Sequence, residues 1–406
     1  MTEKWLLNVK LETESYTDND NYSYTNTDIF HIKIKDGKIK KIVDGNQKIY
    51  DSIEKQDFKN LLALPAFKEM HNHLDKTYMG LGWKSVIPVN NLKERLKLEV
   101  AELNSLSDST VDRATHMIET LLSYGATHIR THVNIDPYIG LKNLEGVVEA
   151  LDKFRGKITS DIIAFPQHGL MRDNVPELMR EAMRSGATMV GGLDPAGIDG
   201  HIEESLQTTL EIANEFNTDV DFHIHDGGHV GWYTIDKWID LVEQSEWKGK
   251  SSISHAFSIG EIPTVKASQL AERLKKNNIS IMSTIPINHT LPPIDLLDQY
   301  GVSVHLGCDG FYDSWGPFGT GDVLEKLTTF CDLTGKKDEI SIAQTLKYIT
   351  GGITPLNKEG KQVWPKIDDE ADFVFTDAVS SAHLIARRLP REAVMVNGNI
   401  VYGTVK

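Results

Sequence analysis

Cysteine is almost absent from this chain, since Cys308 and Cys331 are the only two among its 406 residues. Two cysteines are too few for a disulfide framework or a four-thiolate zinc site, so a reducing compartment is the simpler expectation. Long apolar runs are missing as well: no stretch of about 20 apolar residues occurs, and no basic region followed by an apolar one opens the sequence. These absences predict a cytoplasmic protein with no membrane partner.

Positive charge is also in short supply. The 43 lysines and arginines are outnumbered by 58 aspartates and glutamates, which leaves a formal net charge of -15. A polyanion would be repelled at long range, so nucleic acid is not an expected partner. The length fits one barrel of about 250 to 300 residues with a smaller companion domain.

Both ends of the chain carry β-hairpin signals. Apolar and polar side chains alternate on either side of Asp36-Gly37, and again on either side of Asn397-Gly398. Asp-Gly and Asn-Gly are the residue pairs preferred in two-residue hairpin turns. We therefore predict that residues 1–60 and 360–406 pair into one small composite β-sandwich.

Between these ends, over residues 61–359, helical stretches alternate with short β-rich runs. Eight such runs, most of them separated by enough chain for a crossover helix, predict an α/β fold of the (β/α)8 TIM barrel type. An open doubly wound sheet is the alternative architecture. The candidate strands are 62–67, 127–132, 161–165, 188–193, 219–223, 251–255, 279–283 and 302–307.

Potential metal ligands follow four of these strands. His71 and His73 come after the first, and in an extended segment both side chains point to the same side. His223 ends the fifth strand, His255 ends the sixth and Asp309 follows the eighth. The reactive groups of such barrels lie at the C-terminal ends of the strands. The set is therefore better explained by a metal centre than by histidines that merely form part of the core.

The order His-x-His, His, His and Asp on strands one, five, six and eight resembles the amidohydrolase superfamily, in particular its cytosine deaminase-like branch. The supporting phrases, which run from about residue 60 to 325, are Arg130-Thr-His-Val, Ala164-Phe-Pro-Gln167, Val220-Asp-Phe-His223, Ser254-His255 and Asp313-Ser-Trp315-Gly-Pro-Phe-Gly-Thr. Within that branch the sequence is more similar to the N-isopropylammelide isopropylamidohydrolases of triazine breakdown than to cytosine deaminases. The features behind this are Lys76, His223-Ile-His225-Asp226 and the spacing from Asp309 to Trp315.

The resemblance implies one divalent metal ion, held by three imidazoles and one carboxylate: His71, His73, His223 and Asp309. That ligand set suits zinc, with ferrous iron as the alternative. Many superfamily members bridge two metals with a carboxylated lysine on strand four. Here residues 191–194 read Gly-Gly-Leu-Asp, so a mononuclear site is expected.

The resemblance also implies catalytic and substrate-binding roles. Asp309 and His255 would transfer protons during attack on a ring carbon. Cytosine deaminases have a glutamate three residues after the strand-five histidine, whereas this sequence has the shorter Asp226. This difference argues against cytosine as the substrate. Either Asp226 or His225 would donate a proton to the ring. The expected contacts with the substrate are Lys76, Gln167, Asp194, His225 and the flat face of Trp315.

These observations predict a metal-dependent hydrolase that cleaves an exocyclic C–N bond of a small N-heterocycle, such as a hydroxytriazine or a pyrimidine, by deamination or dealkylamination. One alternative is a cytosine deaminase proper. Another is a cyclic amidohydrolase that opens a ring, against which the missing strand-four lysine argues. A third is a catalytically silent assembly protein, against which the complete ligand set argues. Barrels of this branch are often homo-oligomers, and a homo-oligomer is expected here.

Overall fold

The computed structural model describes residues 3–172, 174–245, 247 and 249–405. Its first five strands are β1 (Glu3–Thr17), β2 (Ser23–Lys35), β3 (Lys38–Asp44), β4 (Glu54–Asp57) and β5 (Leu62–Pro65). Eight more follow: β6 (Phe67–Asn72), β7 (Ala126–Asn134), β8 (Thr159–Phe165), β9 (Met189–Leu193), β10 (Asp219–Ile224), β11 (Ser251–His255), β12 (Ile279–Ser283) and β13 (Val304–Leu306). The last are β14 (Phe373–Thr376), β15 (Ala393–Val396) and β16 (Asn399–Gly403).

The helices lie mostly between the strands of the middle group. They are α1 (Leu92–Leu106), α2 (Thr110–Ser123), α3 (Lys142–Asp152), α4 (Val175–Arg184), α5 (Ile202–Phe216), α6 (Gly228–Gln244), α7 (Ser258–Glu261), α8 (Thr264–Lys276), α9 (Ile294–Gln299), α10 (Val323–Thr334), α11 (Glu339–Ala343), α12 (Lys347–Thr350) and α13 (Ser381–Arg387). Within the described residues, none of them combines the length and the apolar character needed to cross a membrane.

Strands β6 to β13 form one parallel sheet in sequence order, with helices between successive strands. The sheet closes on itself where the chain after β13 meets β6: Asn72 bridges Asp309 in parallel, and the Asp309 N–H donates to the carbonyl of His71 over 2.8 Å. Helix α2 turns a buried stripe of Ala114, Met117, Ile118, Leu121 and Leu122 toward the sheet. The predicted (β/α)8 barrel is confirmed.

The remaining strands form a second sheet in the order β16-β15-β14-β5-β1-β2-β3, with β4 also paired to β1. Both predicted hairpins are present, and their turn residues Asp36, Gly37, Asn397 and Gly398 all have positive φ, as a type I′ turn requires. Apolar side chains from both ends of the chain, such as Leu6 and Phe375, share one core. The N- and C-terminal segments therefore build one β structure, as predicted.

The structure corrects the prediction for the first barrel strand. Residues Leu62–Pro65 pair with β1 and antiparallel with β14, so they belong to the terminal sheet, and the barrel begins with Phe67–Asn72. Both runs are almost wholly buried, so their hydrophobic patterns do not distinguish which sheet each one joins. The division of the chain into domains at residues 60 and 360 stays a prediction.

Replacing Phe375 by alanine should destabilise the protein, because this fully buried ring lies 4.3 Å from the Phe58 ring at the centre of the terminal sheet. Deleting a buried phenylalanine side chain lowers the free energy of unfolding by about 3–5 kcal/mol. Denaturant titration would measure the loss. As a control, Val379→Ala removes a side chain that is 62% exposed and should have little effect. A loss below about 1 kcal/mol for Phe375→Ala would contradict the assigned core.

Candidate metal centre and substrate cavity

The end of β6 presents His71, whose ring is oriented by a side chain from β11, across the barrel. His71 Nδ1 lies 2.8 Å from Ser254 Oγ, and the Ser254 hydroxyl donates to Asp221 Oδ1 over 2.7 Å. Because that hydroxyl has a single proton, it must accept from His71, so Nδ1 carries the imidazole proton. The lone pair of His71 Nε2 is then free to bind a metal ion.

His73 is held in the same tautomer by a different partner. Its Nδ1 donates to the carbonyl of His132 over 3.1 Å, since a carbonyl can only accept. The Nε2 atoms of His71 and His73 both face Asp309, at 3.6 and 3.4 Å from its Oδ1. Although burial alone raises it, the close approach of the His71 and His73 rings holds the pKa of Asp309 well below its usual range. The carboxylate is therefore ionised.

His223 and His255 complete the cluster. Within the described part of the chain, none of their ring nitrogens has a hydrogen-bond partner, although all are buried. Burial lowers the pKa of both rings well below the usual range, so they are neutral, the form that binds metals. Possible ligand atoms lie within 4.8 Å of one another in two overlapping groups: His71, His73 and Asp309, and His71, His223 and His255.

These features fit a divalent metal ion. Buried imidazole nitrogens without a partner are costly unless something binds them, and three imidazoles with one carboxylate form a common zinc ligand set. His255 lies as close to His71 and His223 as a ligand would, and its Nε2 is 3.8 Å from Asp309 Oδ2. All five residues predicted for metal binding or proton transfer at this centre thus come together at one end of the barrel.

Two positions of the fourth barrel strand, Gly191 and Gly192, are closely packed. A Cβ atom added to Gly192 would lie 2.2 Å from the Phe222 ring, and one added to Gly191 would lie 2.7 Å from the carbonyl oxygen of Ala164. A side chain at either position would require the barrel wall to shift. Neither position could therefore carry a bridging lysine without such a shift.

The buried carboxylate of Glu69 joins β6, the first barrel strand, to the chain after β13, the eighth, beneath the candidate metal centre. Glu69 Oε1 accepts from the backbone N–H groups of His71 and Cys308, each over 3.0 Å. Burial raises the pKa of Glu69 to about 7. These hydrogen bonds fix the backbone on both sides of the closure, and so they fix the distance between His71 and Asp309.

Above the centre lies a cavity of about 360 Å³. Eight residues predicted for the site line it: His73, Lys76, Gln167, Asp194, His223, His225, Asp309 and Trp315. Sequence reasoning missed other lining side chains, namely Leu92, Phe165, Leu193 and His289. The cavity therefore combines the metal centre with apolar walls and a few polar groups, as small-molecule sites generally do.

Lys76 places a buried cation at one edge of the cavity. Its Nζ donates to Gln167 Oε1 over 2.8 Å and lies 3.4 Å from Glu99 Oε1. Burial alone lowers the pKa of Lys76, but the nearby carboxylates, Glu99 foremost, outweigh burial and raise it, so the side chain is charged. Arg113 holds the backbone on both sides of Lys76 by donating to the carbonyls of Asp75 and Thr77.

His225 and Asp194 form a hydrogen-bonded pair at another edge. His225 Nδ1 donates to Asp194 Oδ2 over 2.9 Å, and the His225 backbone N–H donates to Asp194 Oδ1 over 2.6 Å. Burial alone lowers the pKa of His225, but the charge of Asp194 raises it overall. The His225 side chain is 39% exposed, which leaves its Nε2 open toward the cavity.

Asp226 lies apart from the cavity, in contrast to the other predicted groups. Its Oδ2 accepts from the backbone N–H of Gly197, in the turn Pro195–Asp199 after β9. It is not among the cavity-lining residues. This placement does not support the prediction that Asp226 donates a proton to a substrate ring, because the carboxylate binds a backbone turn instead.

Two further histidines lie near the site, although the sequence assigns neither of them a role there. His289 stacks on Phe257 with a ring separation of 4.8 Å and reaches the cavity from the loop after β12. The buried His132 ring lies 4.5 Å from His71 and 4.2 Å from His223, with neither nitrogen hydrogen-bonded to any described residue. For His289 no pattern distinguishes it from a surface histidine, whereas His132 ends a predicted strand.

A closed barrel with neutral histidines and an ionised aspartate at the C-terminal ends of its strands fits the class of barrel hydrolases that bind a divalent metal ion. The chain belongs to the amidohydrolase family, whose family model matches residues 54–402. It is therefore an enzyme that hydrolyses carbon–nitrogen bonds other than peptide bonds.

Three relatives illustrate the relationship. The chain is 38% identical to the protein YahJ of Escherichia coli strain K12, over 99% of this chain and 88% of that protein. It is 29% identical to N-isopropylammelide isopropyl amidohydrolase of Pseudomonas sp. strain ADP, over 85% of this chain and 87% of that enzyme. The crystal structure of N-isopropylammelide isopropylaminohydrolase from Burkholderia multivorans ATCC 17616 superposes with a TM-score of 0.86 at 26% identity, covering 100% and 99% of the two chains. The resemblance predicted from sequence is confirmed.

Replacing Ser254 by alanine should weaken metal binding, because His71 Nδ1 would lose its acceptor and the ring would no longer be held in one tautomer and orientation. Loss of such an outer partner typically reduces metal affinity by about 10–100-fold. Competition with a chelator would measure the affinity. Ser280→Ala is the matched control, since Ser280 Oγ contacts the Ser252 hydroxyl on the neighbouring strand. Equal affinities of the two variants would refute the role of Ser254.

Proposed function

We propose that this protein cleaves an exocyclic C–N bond of a small, flat N-heterocycle, by deamination or dealkylamination, with one divalent metal ion per chain. The observation that carries the proposal is the convergence of the His71–Asp309 cluster with the polar edges of the cavity at Lys76 and His225. Two of the relatives are by name hydrolases of N-isopropylammelide, which supports a heterocyclic substrate.

The metal ligands in this proposal are His71, His73, His223 and Asp309, and zinc is favoured over ferrous iron because of the ligand types. When bound, a divalent ion would lower the pKa of a water molecule toward 7 and so supply the nucleophile. The fourth barrel strand supports a single metal, because it contains no lysine and the packing around Gly191 and Gly192 leaves no room for one there.

Proton transfer is assigned to Asp309 and His255. Asp309 is ionised and 34% exposed toward the cavity, and its Oδ2 lies 3.8 Å from His255 Nε2. A proton released during attack can therefore pass to the carboxylate or to the neutral ring beside it. His225 donates the proton that the ring nitrogen or the departing amine requires, because its Nε2 faces the cavity while Asp194 holds Nδ1.

Recognition of the ring is assigned to Lys76, Gln167 and Trp315, with Asp194 acting through His225. Gln167 Oε1 already accepts from Lys76, so the amide N–H groups of Gln167 remain for the substrate. This edge of the cavity therefore offers donors, which suits ring carbonyl oxygens. The Trp315 indole, 39% exposed, supplies a flat surface for the ring.

The position of Asp226 bears on the leaving group. Its carboxylate binds the turn after β9, so Asp226 is not among the residues that line the cavity, whereas His289 and Trp315 are. This arrangement leaves space next to the scissile bond for an N-alkyl substituent. We infer that an N-alkylated aminohydroxytriazine suits the cavity better than cytosine does. A cytoplasmic location and a homo-oligomeric state remain predictions.

His255→Asn and Asp309→Ala should separate proton transfer from metal binding. We expect His255→Asn to keep about one metal ion per chain and to lose at least about 100-fold in kcat, because a positioned proton-transfer group contributes that much. Asp309→Ala should lose both the metal and the activity. Elemental analysis together with steady-state kinetics would measure these effects. Loss of the metal in His255→Asn would instead make His255 a ligand, and two ions per wild-type chain would refute the mononuclear site.

The substrate assignment is tested by comparing kcat/KM for cytosine and for an N-alkylammelide at equal metal loading. The N-alkylammelide should be preferred by at least about tenfold, or 1.4 kcal/mol in transition-state binding. Released ammonia and alkylamine report the two reactions separately. A tenfold preference for cytosine would make this protein a cytosine deaminase instead. A cyclic amide that is opened, with no amine released, would indicate ring hydrolysis.

A further inference from the structure

Helix α1 brings one buried carboxylate to the edge of the substrate cavity. Glu99 is 1% exposed, and its Oε1 accepts from Trp315 Nε1 over 2.8 Å while lying 3.4 Å from Lys76 Nζ. Lys76 and Trp315 both line the cavity, whereas Glu99 stands behind them. We propose that Glu99 is a positioning residue that holds these two side chains in place and thereby makes α1 an element that determines substrate specificity.

The charge of Lys76 depends on Glu99. Of the carboxylates that the structure describes, Glu99 alone lies within 4.0 Å of Lys76 Nζ. The other polar contact of Nζ is the neutral amide oxygen of Gln167. Without Glu99, Lys76 Nζ would contact only this neutral oxygen, and the more distant carboxylates of Asp75, Asp313 and Asp309 would stabilise its buried charge less well.

The orientation of Trp315 depends on the same carboxylate. The Trp315 backbone N–H donates to Asp313 Oδ1 over 2.8 Å, and its indole N–H donates to Glu99. These two contacts fix the residue at its backbone and at the far side of its ring. Lys76 Nζ lies 5.6 Å from the ring centroid, a cation–π distance, so the three side chains form one connected set.

Hydrogen bonds hold helix α1 in place, and they therefore fix the position of Glu99. His168, in the loop after β8, donates from Nε2 to the Leu96 carbonyl over 3.3 Å, and Arg95 donates to the Ile87 carbonyl over 2.6 Å. Glu99 lies one turn beyond these contacts. Leu92, at the start of the helix, lines the cavity directly. We call Lys76, Leu92 and Trp315 the recognition wall of the cavity. Helix α1 contributes to this wall directly through Leu92 and indirectly through Glu99, and this inference rests on the proposed function.

The test compares Glu99→Gln with Glu99→Leu in the metal-loaded enzyme. Glutamine keeps an acceptor for the Trp315 indole but removes the charge that faces Lys76, so KM should rise about tenfold while kcat changes less than about threefold. Leucine also removes the acceptor, so the emission of Trp315, isolated by subtracting the spectrum of Trp315→Phe, should shift. Metal content should stay at the wild-type level in both variants.

A double-mutant cycle with Lys76→Met shows whether Glu99 changes kcat/KM through its contact with Lys76. If Glu99 acts through Lys76, adding Glu99→Gln to Lys76→Met should lower kcat/KM by no more than about twofold further. Glu102→Gln is the matched control, because Glu102 lies on the same helix and pairs with Lys84. It should leave KM and the emission of Trp315 unchanged.

Two results would overturn the proposal: losses from Lys76→Met and Glu99→Gln that multiply, or an unchanged Trp315 emission in Glu99→Leu. The emission is measured without substrate. A shift would therefore support the positioning role even if no heterocycle were hydrolysed, which separates a failure of this inference from a failure of the proposed function. If Glu99→Leu does not fold, the kinetic cycle with glutamine decides.

Discussion

The hydrogen bond between His71 Nδ1 and Ser254 Oγ is the contact on which the metal centre depends. It ends a chain that runs from Arg130 through Asp221 and Ser254, with one residue from each of the strands β7, β10, β11 and β6. Each link sets the proton position of the next, and the last leaves the Nε2 lone pair of His71 free. Because four strands contribute, this arrangement exists only in the closed barrel, and binding of a metal ion there would be coupled to folding.

Different structural elements hold the two parts of the site, the candidate metal centre and the recognition wall. The metal centre stands on barrel strands and on buried groups such as Glu69, which tie the first strand to the eighth. The recognition wall stands on the segments after β6 and β13, which supply Lys76 and Trp315, and on α1, which joins them through Glu99. Loops and inserted helices can change while the strands stay, so this division would allow a barrel of this kind to keep one chemistry while its substrate changes.

The features that the sequence did not predict depend on contacts between residues that are distant along the chain. The runs at Leu62–Pro65 and Phe67–Asn72 are both buried, and only backbone pairing decides which sheet each one joins. Asp226 has the spacing of the deaminase glutamate, but spacing does not encode that its carboxylate accepts from the N–H of Gly197, and its catalytic role stays a prediction. Glu99 has no motif at all, because it lies on an amphipathic helix where a glutamate is normally a solvent-facing residue.

Local patterns in the sequence determined the hairpins at Asp36-Gly37 and Asn397-Gly398, the alternation of strands and helices, and the strand ends at which the candidate metal ligands lie. They could do so because turn conformation, hydrophobic periodicity and ligand type are properties of neighbouring residues. Only the tertiary structure decided which side chains meet across the cavity. The pairing of His225 with Asp194 and of Lys76 with Glu99 depends on backbone direction and burial at positions distant in sequence, and no short-range pattern encodes those distances.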